Sequence, residues 1–128
     1  IREVAARLGG MTAIEFMDAE ALRAAAGHAM ARLHQRFDLV LCPTVPAGPP
    51  LADAPILDPV QALWTEWAPW TFTFNVTRQP AITVPMGFRS DGLPNSVQIA
   101  AAQYRDDLVL RAARAIELAA PFPYIETN

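Results

Sequence analysis

The chain has 128 residues and a net charge of −3 at neutral pH, and its ten basic residues are all arginine. The lack of lysine excludes a Schiff base, a phosphate-loop lysine and a Ser–Lys dyad within these residues. A single cysteine, Cys42, excludes an internal disulfide and a zinc site built on several cysteines. The negative charge argues against nucleic acid as a partner.

The bulk composition is typical of a globular protein, with 52% hydrophobic and 18% charged residues. No apolar run reaches the roughly 20 residues of a membrane-spanning helix, and no signal peptide opens the chain. We therefore predict a cytoplasmic protein without membrane contact. Ile1 begins helical sequence with no capping residue before it, so we expect residues 1–128 to be a single segment of a longer protein.

The first part of the chain predicts two helices and a strand. Residues 1–8 fit a short helix that ends at the following glycines. Thr12 and Glu15 have the spacing of a capping box, and the apolar pattern after them predicts a long helix from Ala13 to about Arg36. The apolar run at 39–42 predicts a strand buried on both faces.

The middle of the chain is rich in proline. Six prolines between Pro43 and Pro59 predict an irregular connection. Asp58 and Pro59 are typical of a helix start, so a short helix is expected over residues 60–67. The segment 70–75 fits either a strand or a further helix.

The last part predicts a pair of strands followed by a helix. The strands are expected at residues 81–85 and 96–101, with Asp91-Gly92 forming the turn between them. Pro85 is expected to end the first strand. Together these elements predict an α+β fold with a long helix, a buried strand, a proline-rich loop, two further strands and a C-terminal helix.

Two polar features of this last part have expected structural roles. Gln98 lies in an otherwise apolar strand, so its amide is expected to bond neighbouring backbone groups. Asp106 or Asp107 is expected to cap the last helix, because acidic residues are favourable at a helix N-terminus.

No self-contained active site emerges from these residues. His28 and His34 are six residues apart, which places them on different helix faces and disfavours a shared metal ion. Cys42 before a proline is typical of a small buried side chain. We predict neither a metal nor a cofactor.

An aromatic cluster between Trp64 and Phe74 is the one candidate pocket. If this segment is helical, Thr65, Ala68 and Phe72 share one face. Such a face could line a small-molecule pocket or belong to the core, and the pattern alone favours the core.

Residues 74–88, with Asp91-Gly92-Leu93-Pro94 and Val97-Gln98-Ile99 after them, resemble the C-terminal end of the amidase signature family. Residues 37–46 are similar to the family's preceding strand and its Pro-Thr-x-Pro exit. The resemblance covers nearly the whole chain and implies an α/β/α arrangement with a mixed sheet. Arg78 departs from it, standing where many members have glycine, and Asn95-Ser96 replaces the usual Val-Gly.

The resemblance implies amide hydrolysis by a serine nucleophile, with a second serine in a cis peptide and a lysine as proton relay. Backbone N–H groups of a Gly/Ser-rich loop form the oxyanion hole in such enzymes. All of that machinery lies upstream in the family. No catalytic residue is therefore assigned within this chain.

The resemblance also implies contact with substrate. The family's aromatic segment walls the acyl side of the pocket, which places Thr65, Ala68 and Phe72 near a small-molecule amide. Amidotransferase subunits of glutaminyl-tRNA synthesis carry an acidic residue near the Ala68 position to hold the glutamine amine. The neutral Ala68 favours an amidase for an apolar or aromatic amide.

Three functions are compatible with these residues. The favoured one is the C-terminal portion of an amidase, which hydrolyses non-peptide carbon–nitrogen bonds. The alternatives are a protein similar to the amidotransferase subunits of glutaminyl-tRNA synthesis and a non-catalytic binding or assembly module derived from an amidase. A lone segment of this kind is expected to self-associate, because strand and helix faces are left open.

Overall fold

The computed structural model describes Ala6, residues 9–45, Gly48 and residues 69–123. Within these ranges the chain forms three α-helices and three β-strands, which confirms the predicted α+β class. The expected helices at 1–8 and 60–67 and most of the proline-rich connection lie outside the described residues. In chain order the elements are α1 (Ala13–Leu33), β1 (Leu39–Pro43), α2 (Pro69–Thr77), β2 (Ala81–Phe88), β3 (Pro94–Ala101) and α3 (Asp106–Ala119).

Helix α1 begins with the predicted capping box. The Thr12 hydroxyl accepts a hydrogen bond from the Glu15 backbone N–H at 3.2 Å, and the Glu15 carboxylate accepts one from the Thr12 N–H at 2.7 Å. The helix ends at Leu33, three residues before the predicted end, because residues 34–36 form a turn. None of its side chains is buried in the described part of the chain, and four large apolar ones are exposed: Ile14, Phe16, Met17 and Leu22.

The three strands form an antiparallel sheet in the order β1-β3-β2. Strand β1 pairs with β3 through positions such as Leu41 opposite Ile99. The prediction that β1 is buried on both faces is wrong for the described residues, because none of its five residues is buried. Its Leu41 side chain remains 56% exposed.

Strand β2 continues past Pro85, contrary to the prediction that this proline ends it. Pro85 pairs with Ser96 and Phe88 with Pro94, so Met86 and Gly87 together oppose one residue of β3. This bulge depends on Gly87, whose φ of 76° is accessible to glycine at little cost. Because β2 is an edge strand of the described sheet, a proline without an N–H is tolerated there.

The predicted turn between β2 and β3 is confirmed. Gly92 has a φ of 81°, and its N–H donates to the Arg89 carbonyl at 3.0 Å. The Asp91 carboxylate accepts a bond from the Leu93 N–H at 3.2 Å. The Asp-Gly pair therefore closes the hairpin as its composition predicts.

Helix α3 covers the hairpin and completes a small core of Val84, Ile99 and Ala113. The prediction that an aspartate caps this helix is wrong: Arg105 occupies the N-cap position without a side-chain capping bond. Asp106 and Asp107 lie in the first turn, where the helix dipole favours negative charge.

Candidate functional site

Helix α2 carries the one described member of the predicted pocket. Phe72 is 44% exposed, whereas Phe74 two residues later is buried. Residues 70–75 lie within α2, which confirms one of the two predicted alternatives, a further helix. Thr65 and Ala68 lie outside the described residues. The prediction that the three side chains share a substrate pocket remains a prediction.

Hydrogen bonds through Thr44 fix helix α2 to the sheet. The Thr71 hydroxyl donates to the Thr44 carbonyl oxygen at 3.2 Å, and the Ser96 hydroxyl donates to the Thr44 hydroxyl oxygen at 2.9 Å. Thr44 follows directly after β1, so one residue joins α2 to two strands. Phe72, adjacent to Thr71, therefore projects from a helix held against the sheet.

Cys42 and Gln98 meet where β1 and β3 pair. Gln98 is buried, and its side-chain carbonyl oxygen lies 3.7 Å from the Cys42 Sγ, which donates a weak bond. The Gln98 side-chain oxygen is thus bonded to a thiol, whereas a bond to neighbouring backbone groups was expected. Burial raises the pKa of the Cys42 thiol above its ordinary value. A thiol held protonated is a poor nucleophile, which agrees with a structural role.

The hydrogen bonds at the end of α2 explain the left-handed backbone conformation of Arg78. The Gln79 N–H donates to the Phe74 carbonyl at 3.0 Å and the Arg78 N–H to the Asn75 carbonyl at 3.3 Å. This pair of bonds defines a Schellman motif, in which the residue after the C-cap is left-handed and usually glycine. Arg78 has a φ of 57° there.

Gln79 joins three parts of the chain and was not singled out from the sequence. Its Nε2 lies 2.7 Å from the His34 Nε2 and donates to the Ala101 carbonyl at 3.1 Å. Its Oε1 accepts a bond from the Thr77 hydroxyl at 2.9 Å. Because an amide NH₂ only donates, the His34 Nε2 must accept. The ring proton then lies on Nδ1 and donates to the Phe37 carbonyl at 3.0 Å.

A cleft of about 600 Å³ opens between α1 and the turn that follows α2. Small and apolar side chains of both elements form part of its lining. Glu20 and Arg23 on its α1 side form an ion pair. Its polar lining includes Glu20, Arg23, His28, His34, Gln35, Arg78 and Gln103.

Neither a candidate metal site nor a membrane-spanning helix is found in the ranges that the structure describes. No group of three His, Cys, Asp or Glu residues there lies close enough to share a metal ion. None of the helices in those ranges combines the length and the apolar character needed to cross a membrane.

Comparison with known proteins identifies the family. The family model described as Amidase matches residues 3–110. An acylamidase of Rhodococcus erythropolis is 34% identical over 88% of this chain, and a glutamyl-tRNA(Gln) amidotransferase chain of Neisseria meningitidis is 32% identical over 80% of it. The chain spans 24% and 21% of the lengths of these two relatives.

The fold agrees with that similarity. The solved structure of 6-aminohexanoate cyclic dimer hydrolase superposes with a TM-score of 0.76 at 34% identity, over 94% of this chain and 27% of that one. The sequence match, the element order and this superposition are mutually consistent. The chain belongs to the amidase family.

Proposed function

We propose that this chain is the C-terminal portion of an amidase that hydrolyses non-peptide carbon–nitrogen bonds in small molecules. The observation that carries the proposal is the placement of Phe72, a large apolar side chain left exposed on a helix that Thr44 fastens to the sheet. An apolar wall on a rigid element is what an acyl pocket requires. Thr65 and Ala68 complete this wall in the proposal.

The role of this chain in the reaction is to bind and orient the substrate. In the proposed enzyme a serine attacks the amide carbonyl, a lysine outside this segment relays the proton, and backbone N–H groups stabilise the oxyanion. The chain has no lysine and cannot supply that relay. Contact between Phe72 and the acyl group excludes water and holds the carbonyl in place for attack.

Substitutions at Phe72 test the proposal in the protein that carries this chain. Phe72→Ala removes the apolar wall, so we expect KM for an anilide substrate to rise about tenfold, since one lost apolar contact is worth about 1–3 kcal/mol. Phe72→Leu keeps most of the apolar surface and should lie close to the parent. An unchanged KM in a folded Phe72→Ala variant would refute the pocket assignment.

A second experiment tests whether residues 1–128 can act alone. We expect the isolated 128-residue chain to be inactive toward anilides, because it contains no lysine for the relay. Turnover by rigorously purified chain would contradict the proposed division of labour.

An amidotransferase is the second candidate function. It is supported by the similarity to the glutamyl-tRNA(Gln) amidotransferase chain and opposed by the neutral Ala68, which offers no charge to hold a glutamine amine. Ammonia release from glutamine, measured beside anilide hydrolysis, separates the two functions. Faster release from glutamine would favour the amidotransferase.

The remaining proposals concern partners and location. We propose a cytoplasmic protein that acts on a small amide and contacts neither membrane nor nucleic acid through this segment. In isolation, the exposed apolar side chains of α1, among them Ile14, Met17 and Leu22, favour self-association. Light scattering on the purified chain tests this, and a monomer at about 100 μM would refute it. Stable folding of a monomer without activity would instead favour a binding module.

A further inference from the structure

The cleft between α1 and the α2–β2 turn carries positive charge on a chain that is negative overall. Its titratable lining comprises two arginines, one glutamate and two histidines, so with neutral histidines the lining has a surplus of one positive charge. The whole chain has a net charge of −3. None of the four ion pairs recorded among the described residues includes Arg78.

An unused hydrogen-bond donor accompanies this charge. The guanidinium of Arg23 bonds Glu20 through Nη2, while its Nε is buried and has no hydrogen-bond partner among the described residues. A buried polar donor without a partner costs about 1–3 kcal/mol. The Arg23 side chain as a whole is 33% exposed, so a ligand oxygen in the cleft can approach the terminal part of the guanidinium but not the buried Nε.

Arg78, on the opposite side of the cleft, has a strained backbone conformation. Arg78 is held at a φ of 57°, a conformation that costs a non-glycine residue about 1 kcal/mol. The neighbouring loop contains the other left-handed non-glycine residue of the described chain, Tyr104, at 65°. These two loops are bonded to each other through the Gln103 amide, which donates to the Thr77 carbonyl at 2.8 Å. Strained residues of this kind concentrate at ligand sites.

The remaining lining residues indicate which chemical groups the rest of a ligand would carry. Ala24, Met30 and Val76 give part of the cleft an apolar surface. A volume of about 600 Å³ lies in the range of small-molecule pockets. A guanidinium binds a carboxylate or a phosphate through two parallel hydrogen bonds, and the apolar lining, which suits a short alkyl body, favours the carboxylate.

We propose that this cleft binds a small carboxylate, with Arg23 and Arg78 holding the oxyanion and the apolar lining holding its alkyl chain. The proposal rests on the geometry of the cleft and does not depend on the amidase proposal. Sodium butyrate is a suitable probe, and 2-pentanone is its neutral counterpart of similar shape. Inorganic phosphate supplies the charge without the alkyl chain.

The test is calorimetric titration of the protein that carries this chain. We expect saturable binding of butyrate, weaker binding of phosphate and none of 2-pentanone. Arg78→Gly and Arg23→Met should each raise the Kd for butyrate about tenfold or more, as loss of one charge-assisted hydrogen bond predicts. Arg111→Gln on α3 removes the same charge outside the cleft and should leave the Kd unchanged.

Arg78→Gly makes this test independent of folding, because glycine suits the left-handed position and the variant should be at least as stable as the parent. Arg78→Lys, which keeps the charge without the planar fork, should retain part of the affinity. The proposal is overturned by absent butyrate binding, by equal binding of 2-pentanone, by tighter binding of phosphate than of butyrate, or by an equal loss in Arg111→Gln.

Discussion

The Nε2 atoms of Gln79 and His34 lie 2.7 Å apart, which joins the C-terminal end of α1 to the turn that leads into β2. The same amide nitrogen donates to the Ala101 carbonyl at the end of β3. The Gln79 side chain thus connects a helix, a turn and a strand by hydrogen bonds. This contact organises one wall of the cleft.

The first prediction concerns that contact. Gln79→Ala leaves His34 and the Ala101 carbonyl without their partner, so we expect the free energy of unfolding to fall by about 1–3 kcal/mol. Gln35→Ala removes an exposed glutamine near the same cleft and should change it by less than about 0.5 kcal/mol. Denaturant titration measures both, and equal effects would show that the Gln79 bonds add nothing.

A double-mutant cycle isolates the pair itself. His34→Ala, Gln79→Ala and the double variant should give a coupling free energy of about 0.5–1.5 kcal/mol, typical of a hydrogen bond between partly buried groups. Additive effects would mean that the two side chains act independently.

The second prediction concerns the left-handed turn after α2. Arg78→Gly should match or exceed the stability of the parent by up to about 1 kcal/mol, because relief of the strain outweighs the added entropy of the unfolded chain. Arg78→Val should be clearly less stable, since a β-branched side chain is strongly disfavoured at positive φ. Thermal melting ranks the variants. A glycine variant less stable than valine would contradict the Schellman assignment.

The third prediction is a pH dependence. Hydrogen bonds from the Thr12 N–H and hydroxyl hold the pKa of Glu15 below its ordinary value. Since the pKa is lowered by folding, the stabilisation is present above the pKa of the unfolded state and disappears as pH falls through that of the folded state. Thr12→Ala removes the cap and should cost about 1 kcal/mol near neutral pH.

Glu15→Gln identifies the carboxylate responsible. This variant should lose less stability than the parent when the pH is lowered from about 5 to about 3, since glutamine does not titrate. Glu117→Gln on α3 carries the same substitution without a capping box and serves as the control. Parallel acid unfolding curves for the parent and Glu15→Gln would argue against the effect.

The fourth prediction concerns thiol reactivity. Burial raises the pKa of Cys42, so less thiolate is present at a given pH than in a free cysteine. Iodoacetamide should therefore modify the folded protein more slowly than a cysteine peptide at about pH 8. The difference should disappear in urea. Mass spectrometry measures both rates, and equal rates in the folded state would refute it.

Local sequence signals predicted most of the fold. The Thr12–Glu15 spacing and the Asp91-Gly92 turn depend on bonds between residues at most four positions apart, which a sequence reveals directly. The prediction that Pro85 ends β2 was wrong, because a proline ends a strand only where the pairing requires a backbone N–H at that position. Whether a strand lies at an edge depends on tertiary structure.

The candidate site was less predictable for the same reason. Arg78 could be singled out as a departure from glycine, but its reason appears only once the two Schellman bonds are visible. Gln79 and His34 are 45 residues apart in sequence, and no local pattern links them. A glutamine between a helix end and Pro80 is the only signal, and it is weak.

The sheet order also has a consequence for how the chain folds. The central strand β3 meets β2 across a tight hairpin, but it meets β1 only after the whole intervening stretch of chain has been looped back. Closing a long loop costs more conformational entropy than closing a short one. The hairpin and α3 should therefore assemble first, and β1 should dock last. A lengthened connection between β1 and α2 should slow this final step and leave the earlier one unchanged.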